Sequence, residues 1–466
     1  MSEPKAFDVI VLGAGPAGTA AALRAADLGA KTALIARDAF GGMAATEGPI
    51  PVRTLAHAAR LVREARQMHR YGITVELPNV DYAALLARAA EIVGEARNHS
   101  TLLEQIERAG VTLFEHAGSA RFVDAHRITS ERGPLLAGER IVICTGGVSR
   151  AMDVPGAELS VTPSAAFTLT AAPKSLVVIG AGATGAQVAS IFNAFGSSVT
   201  LCQGASRIVP TEDADVSAEV ARAFREDGIA VRENCRIIGF EKTSKGVRIR
   251  LAGDEALEAE IAVSTVGWVG DAGGLNLVAA GVRTDARGFI EVDDFRRTTA
   301  PHVYAAGDVI GRSMLVPQGV RDGFVAGNNA ASDNSVRVPA SVEPIGSFTD
   351  PEYAKVGLTE EEAREKHDVL VARASYAETT RPIVDGRARG FCKLVVERNS
   401  HEILGCHLVG ERAVEVAQMA AIAMSAKMKV GDVAAIPLSF PTYANVFGRA
   451  ALRAVRLLGA RPTIDG

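Results

Sequence analysis

Twice in this chain an apolar strand runs into a glycine turn, then into an alanine-rich helix, then into a second strand. The first pass is FDVIVLGAGPAGTAAALRAADLG and KTALIA, residues 7–36; the second is SLVVIGAG, ATGAQVASIFNAFG and SSVTLCQ, residues 175–203. Each turn carries GxGxxG: Gly13, Gly15 and Gly18 in the first, Gly180, Gly182 and Gly185 in the second. The first glycine permits the tight turn, the second lets a pyrophosphate approach the backbone, and the third lets helix and strand pack closely. The helix N-terminus then meets the phosphates with its positive dipole end. Pro16, Ala17 and Thr184 lie in these turns and belong to the same candidate contacts. Two βαβ units imply an α/β chain with two dinucleotide sites rather than one long sheet.

The bulk numbers narrow the class. At 466 residues the chain exceeds one core, and length predicts about three domains. It is 48 % hydrophobic and 22 % charged, as a globular protein is, and its net charge of −4 offers no basic field for nucleic acid. Five cysteines (Cys144, Cys202, Cys235, Cys392, Cys406) are scattered without CxxC or metal spacing, which suits buried apolar thiols in a reducing cytosol and no metal site. No apolar run reaches the roughly 18 residues of a membrane span. The first strand follows a polar MSEPK, leaving no room for a signal peptide, so a cytoplasmic location is expected. Residues 55–115 read as helical, 228–266 as strands with hairpin signals, and the stretch from about 340 as a third, α+β region closed by helices at 412–427 and 443–458. Val446–Arg461, with Arg449, Arg453, Arg456 and Arg461, reads either as the closing helix with solvated arginines or as a basic face able to touch an anionic membrane.

Five further segments carry a resemblance. They are GGMAATEGPIPVRT (Gly41–Thr54), ICTGG (Ile143–Gly147), HVYAAGDV (His302–Val309), GSFTDPEYAKVGLTEEEA and FPTYAN (Phe440–Asn445). Together with the glycine turns they resemble the pyridine nucleotide-disulfide oxidoreductase family, the flavoproteins that include dihydrolipoamide dehydrogenase, glutathione reductase and mercuric reductase. The resemblance spans essentially the whole chain. It implies two Rossmann-like dinucleotide-binding domains, for FAD and NAD(P), plus a C-terminal α+β dimerisation domain. The expected boundaries are 1–150 for the first part of the FAD domain, 151–270 for the NAD(P) domain, 271–338 for the FAD return segment and 339–466 for the dimerisation domain. It also implies FAD, NADPH or NADH, and a homodimer. Thr145 and Gly146 match a flavin-contacting segment, Gly42 opens the replaced redox segment, and Asp308 after Gly307 matches the aspartate that holds the ribityl chain.

The departures concern one relay. Family members reduce a cysteine pair stacked on the flavin, and a histidine–glutamate pair from the partner subunit activates it. Thiolates are the nucleophiles, an imidazole titrates near neutrality, and a carboxylate orients it. Here the cysteine positions are Ala44 and Pro49, the histidine is Phe440 and the glutamate is Asn445. Phe440 cannot transfer protons. The family lysine near the flavin's reactive edge is Arg53, and its glutamate partner is Gln187. A cation whose carboxylate has become an amide favours the anionic reduced flavin; alternatively Arg53 forms an ordinary surface ion pair.

The adenosine ends differ too. The acid that binds the ribose is Ala36 in the first unit, with Asp38 the nearest substitute, and Gln203 in the second. Losing that acid removes repulsion against a 2′-phosphate, which Arg207 could meet, but Gly204 stands where NADPH-specific relatives usually carry an arginine, so the lean towards NADPH is weak. The loop beside the nicotinamide nucleotide reads GWVGD, Gly267–Asp271; Trp268 either stacks on the adenine or covers the domain edge.

Removing the relay leaves a pocket lined by Ala44, Ala45, Thr46, Glu47 and Pro49, with Phe440, Pro441 and Tyr443 from the partner. Such walls suit a flat organic acceptor. Glu47, if buried, or Tyr443 could donate a proton; an exposed Glu47 and a core Tyr443 are the ordinary alternatives. His57 is expected to pack against the FAD domain rather than to act in catalysis. The expected activity is an NAD(P)H oxidoreductase passing electrons from FAD directly to a non-disulfide acceptor, a quinone or another conjugated molecule. The alternatives are a flavin-dependent dehydrogenase or reductase of a specific metabolite, and a non-catalytic FAD-binding dimer. Mercuric reduction is disfavoured because no thiolates are placed to hold the metal.

Overall fold

Phe7, Val9, Ile10, Val11 and Leu12 give Lys5–Leu12 an almost continuous apolar run, as a strand covered on both faces of a parallel sheet requires. In the computed structural model, which describes residues 3–76, 78–99, 101–339 and 342–459, this strand sits at the centre of a seven-stranded sheet. Thr32–Ile35 and Leu136–Ile143 flank it in parallel register, Ile10 facing Ala33 on one side and Ile141 on the other. Val303–Ala305 adds to the outer side of Leu136–Ile143, Val303 opposite Ile141.

The chain divides into two compact units. The first draws on the chain up to Thr54, Ala83–Arg150 and Gly267–Pro339; the second on Leu55–Tyr82, Ala151–Val266 and the chain beyond Pro339. In the first unit, helix Pro16–Asp27 packs on helix Val316–Ala331, and small residues permit the approach. A Cβ on Gly323 would lie 2.0 Å from the carbonyl oxygen of Ala17, and one on Gly327 2.2 Å from that of Ala21. Arg296 and Asp322, 1 % and 2 % exposed as side chains, pair at 2.6 Å behind this helix.

The second unit contains a four-stranded parallel sheet ordered Ala230–Arg232, Ser198–Cys202, Ser175–Ile179, Ile261–Ser264, with helix Ala183–Ala194 as its crossover. A three-stranded antiparallel sheet over Ile237–Ala259 accompanies it. Its third sheet is antiparallel and five-stranded, ordered Ile345–Ser347, Tyr353–Gly357, Ile403–Val409, Phe391–Glu397, Val369–Ser375. Helices Ala413–Ser425 and Ala444–Leu457 share an apolar core with it. The mixed α/β class, the two βαβ units and the late α+β region are all present. Among the described residues no helix is long and apolar enough to cross a membrane.

Candidate functional site

The two glycine turns have the same construction. Gly13 has φ +104° and Gly180 φ +98°, values that L side chains rarely adopt. The third glycines are the tightest: a Cβ on Gly18 would sit 1.7 Å from the Gly13 carbonyl oxygen, and one on Gly185 1.9 Å from that of Gly180. The middle glycines differ, because Gly15 meets only the Gly42 Cα at 4.0 Å and Gly182 meets nothing within 4 Å. Gly15 and Gly182 are the N-caps of their helices and neither cap supplies a side-chain acceptor. Open space and uncapped N–H groups at one point are what a pyrophosphate needs.

Around the first turn the other candidates assemble in one unit. Cys144 donates its backbone N–H to Leu12 at 2.7 Å, which brings Thr145 and Gly146 to the strand end. The Thr145 hydroxyl donates to the carbonyl of Asp271 at 2.7 Å, and Asp271 donates its N–H to Gly146 at 3.0 Å. Gly307, at φ +80°, delivers Asp308 beside this turn, and a Cβ on Gly307 would lie 2.9 Å from the Ala17 methyl. Burial pushes the Asp308 carboxyl up, and no hydrogen bond or ion pair to it occurs among the described residues. A partly buried, unpaired carboxylate beside an uncapped glycine turn fits a hydroxyl-bearing dinucleotide such as FAD. The Gly13–Gly18 turn would hold its pyrophosphate and Asp308 its ribityl hydroxyls.

Asp38 is exposed and pairs with Arg37 at 3.2 Å, and Arg37 also reaches Asp271 at 3.0 Å. The substitute acid is thus bound into a surface ion-pair chain. Trp268 is half-buried in a two-stranded ribbon, opposite Ser149, and Gly267 before it has φ +118°.

The replaced redox segment forms two helices, Gly42–Thr46 and Pro49–Gln67. Gly41 donates its N–H to Ala14 at 3.0 Å, and Gly42 packs so closely on the first turn that a Cβ would meet the Gly15 Cα at 2.8 Å. Pro49 begins the second helix, where its ring and missing N–H suit the first turn. Ala44 is half-buried and Glu47 exposed, so this chain alone does not bury Glu47. Arg53 is half-buried in the second turn of the helix from Pro49. His57 is exposed, which corrects the expectation that it packs against the FAD domain: helical rotation buries Leu55 and Ala59 and turns His57 outwards.

In the second unit, the side-chain carbonyl of Gln203 accepts the Ala181 N–H at 3.0 Å. An amide suits this task, and the side chain is spent on pinning the glycine turn. Arg207 donates through Nη2 to the carbonyls of Pro210 at 3.1 Å and Glu212 at 3.3 Å. That bonding braces its own loop, so the geometry adds nothing to the lean towards NADPH. Thr184 is half-buried in the first turn of its helix, and Gln187 donates to the carbonyl of Ala183 at 3.2 Å.

Phe440 is 74 % exposed. Asn445 accepts the Thr442 N–H at 2.9 Å, so the amide in the glutamate's place closes a helix-initiating turn. The Tyr443 hydroxyl donates to Asp385 at 2.8 Å, and Asp385 pairs with Arg381 at 2.7 Å. Desolvation, then this bond, pushes the Tyr443 phenol up, so it keeps its proton. Asp385 and Arg381 were not legible as its partners, because nothing in their spacing links them to residue 443. Cys144, Cys202, Cys392 and Cys406 are buried and Cys235 is half-buried. No group of residues arranged to hold a metal ion occurs among the described residues.

Comparison with known proteins agrees with this geometry. The profile described as pyridine nucleotide-disulphide oxidoreductase matches residues 7–323, and that of the family's dimerisation domain matches residues 344–451. The dihydrolipoyl dehydrogenase of Zymomonas mobilis is 31 % identical over 461 residues, covering 96 % of this chain and 98 % of that enzyme. The mercuric reductase of Lysinibacillus sphaericus is 30 % identical, covering 96 % and 82 %. Among solved structures, the HOCl-induced flavoprotein disulfide reductase RclA from Escherichia coli superposes with a TM-score of 0.86 at 24 % identity, covering 96 % and 99 %. Members of the family use FAD and NAD(P)H, and the dimerisation domain supports a homodimer. With profiles over most of its length and full-length relatives above 30 % identity, the chain belongs to the pyridine nucleotide-disulphide oxidoreductase family.

Proposed function

We propose that this protein is an FAD-dependent NAD(P)H oxidoreductase that delivers electrons from the reduced flavin directly to a non-disulfide acceptor, a quinone or another conjugated organic molecule. The observation that carries this reading is the contrast between two sites. Both dinucleotide turns keep their open middle glycine and uncapped helix, while the thiol relay is replaced at every member by Ala44, Pro49, Phe440 and Asn445. The replacements have structural duties of their own, Pro49 starting a helix and Asn445 closing a turn, so the segments are rebuilt rather than merely deprived.

FAD supplies two-electron redox chemistry when bound. The chain's part is to hold both nucleotides, to shape the acceptor site and to manage protons. Arg53 is the permanent cation of the rebuilt segment. The Phe440 ring is an apolar wall suited to stacking on a flat acceptor in the homodimer. The Tyr443 proton is committed to Asp385, which leaves the phenol oxygen to accept a hydrogen bond from a reduced, hydroxyl-bearing product. Glu47, exposed in the single chain, enters only where the partner covers it. The intact turns favour this reading over a non-catalytic FAD-binding dimer. A cytoplasmic location belongs to the same proposal.

The test is anaerobic mixing of the purified protein with NADPH, and separately NADH, while flavin absorbance is followed. Bleaching is expected, followed by rapid reoxidation with a benzoquinone or naphthoquinone and negligible reoxidation with lipoamide or oxidised glutathione. Efficient turnover with either disulfide would overturn the proposal.

A further inference from the structure

The loop Arg207–Asp213 joins strand Ser198–Cys202 to helix Ala214–Glu226 and is held in a conformation its sequence resists. Val209 has φ +39°, a region that a β-branched residue enters only under constraint, and it is 1 % exposed. The strained residue touches the second glycine turn: its N–H donates to the carbonyl of Ala181 at 2.7 Å. Ala181 lies between Gly180 and Gly182, and its own N–H is held by Gln203. Both polar groups of the central turn residue are thereby fixed, one of them by this loop.

The near end of the loop is braced by Arg207 and by the Ser217 hydroxyl on Ile208, and its far end is held by the five-stranded sheet. Lys355, on strand Tyr353–Gly357, donates to the carbonyl of Thr211 at 2.6 Å and pairs with Glu212 at 3.2 Å. Lys393, on strand Phe391–Glu397, is 2 % exposed and meets three carboxylates: Asp213 and Asp215 at 2.9 Å and Glu360 at 2.7 Å. Glu360 also donates its backbone N–H to Asp213 at 3.1 Å. Asp213 is the N-cap of helix Ala214–Glu226, so one carboxylate serves the cap and the cation together. These partners hold its carboxyl below its ordinary value, outweighing desolvation. A buried ammonium with three acceptors tolerates little displacement, since moving it strands charge in an apolar setting.

We infer that Lys355 and Lys393 are positioning residues for the nicotinamide nucleotide: they clamp Arg207–Asp213 so that Val209 sets the Gly180–Gly182 turn. The inference rests on the reading that this turn binds NAD(P)H. Neither lysine touches the nucleotide; both act through Val209 and Ala181, and they tie nucleotide affinity to the sheet of the dimerisation domain.

The experiment compares wild type, Lys355→Met, Lys355→Arg and Lys393→Met as FAD-loaded protein. Anaerobic flavin bleaching is followed against NAD(P)H concentration, giving an apparent Kd and a limiting rate. Lys355→Met is expected to raise the apparent Kd roughly tenfold, the size of one lost charged hydrogen bond, with limiting rate and FAD content unchanged. Lys355→Arg, which keeps the cation, is expected to recover most of the affinity. Lys393→Met is expected to act in the same direction and more strongly; should it fail to fold, the Lys355 pair decides alone. An apparent Kd within twofold of wild type in Lys355→Met, or a parallel loss of limiting rate and FAD content, overturns the inference. Absence of bleaching in wild type overturns the functional reading and the inference with it; normal bleaching with unchanged Lys355→Met affinity overturns the inference alone.

Discussion

Burial pushes the Glu352 carboxyl up from 4.5 to about 7, helped by repulsion from Glu415 and Glu411 and opposed by the Val414 amide and Arg60. Because the folded state binds this proton more tightly than the unfolded chain, the associated stability is complete below pH 4.5. It is lost as pH rises through 7. Glu352→Gln keeps a carbonyl for the Val414 N–H, which the carboxylate accepts at 3.3 Å, and removes the charge. The variant is expected to melt like wild type at pH 5. At pH 8 it should be more stable by about 2–3 kcal/mol, read from melting temperature against pH. Equal melting temperatures at pH 8 would show that the carboxylate is relieved in another way. Residues of this kind are not legible in a sequence, because their shift comes from neighbours far along the chain. Asp308 was legible, since the glycine before it and the strand behind it are sequence features. The bonding of Gln203 to Ala181 was not, and it gives the missing acid a local reason.

At the scale of elements, the glycines of helix Val316–Ala331 matter most for the flavin side. Gly319, Gly323 and Gly327 recur every fourth residue and form one stripe, and helix Pro16–Asp27 lies against it. A larger residue at Gly323 would have to displace the backbone of Ala17, which belongs to the first glycine turn. Gly323→Val is expected to destabilise by about 3 kcal/mol or more and to yield protein depleted in FAD, read from the ratio of flavin to protein absorbance. A variant with full flavin content would show that the two helices can separate without disturbing the turn. The stripe stands in VPQGVRDGFVAGNNAA, but glycines carry no apolar periodicity, so the sequence pattern does not announce a helix contact there. The βαβ units are legible in the sequence, since strand, turn and helix signals there are local and agree. The segment Gly41–Thr54 is helical on both sides of a short break. Its alanines and the proline at a helix start were the signals for two helices.

For the molecule as a whole, family membership sets the frame and the rebuilt relay sets the question. The dinucleotide units need only local patterning and are legible in it, whereas the dimerisation domain is legible only through the family resemblance. The acceptor is not legible, because the residues of Gly41–Thr54 and Phe440–Asn445 mark what the relay has lost and carry no pattern that names a substrate. The placement of the five thiols has a consequence for how such a protein fares under chemical stress. Four are buried and Cys235 is half-buried, and none stands in the segment where related enzymes run their chemistry through sulfur. Electrophiles and trivalent arsenicals disable enzymes by capturing reactive thiolates. This protein offers them none at its centre. Native protein treated with N-ethylmaleimide should take up label at Cys235 before any other cysteine and keep its rate of flavin reduction by NAD(P)H, measured by mass spectrometry and by absorbance on the same sample. Loss of flavin reduction in step with labelling would place a working thiol where the fold shows only packing. An electron carrier built this way would keep running in a cell whose sulfur-based reductases have been poisoned.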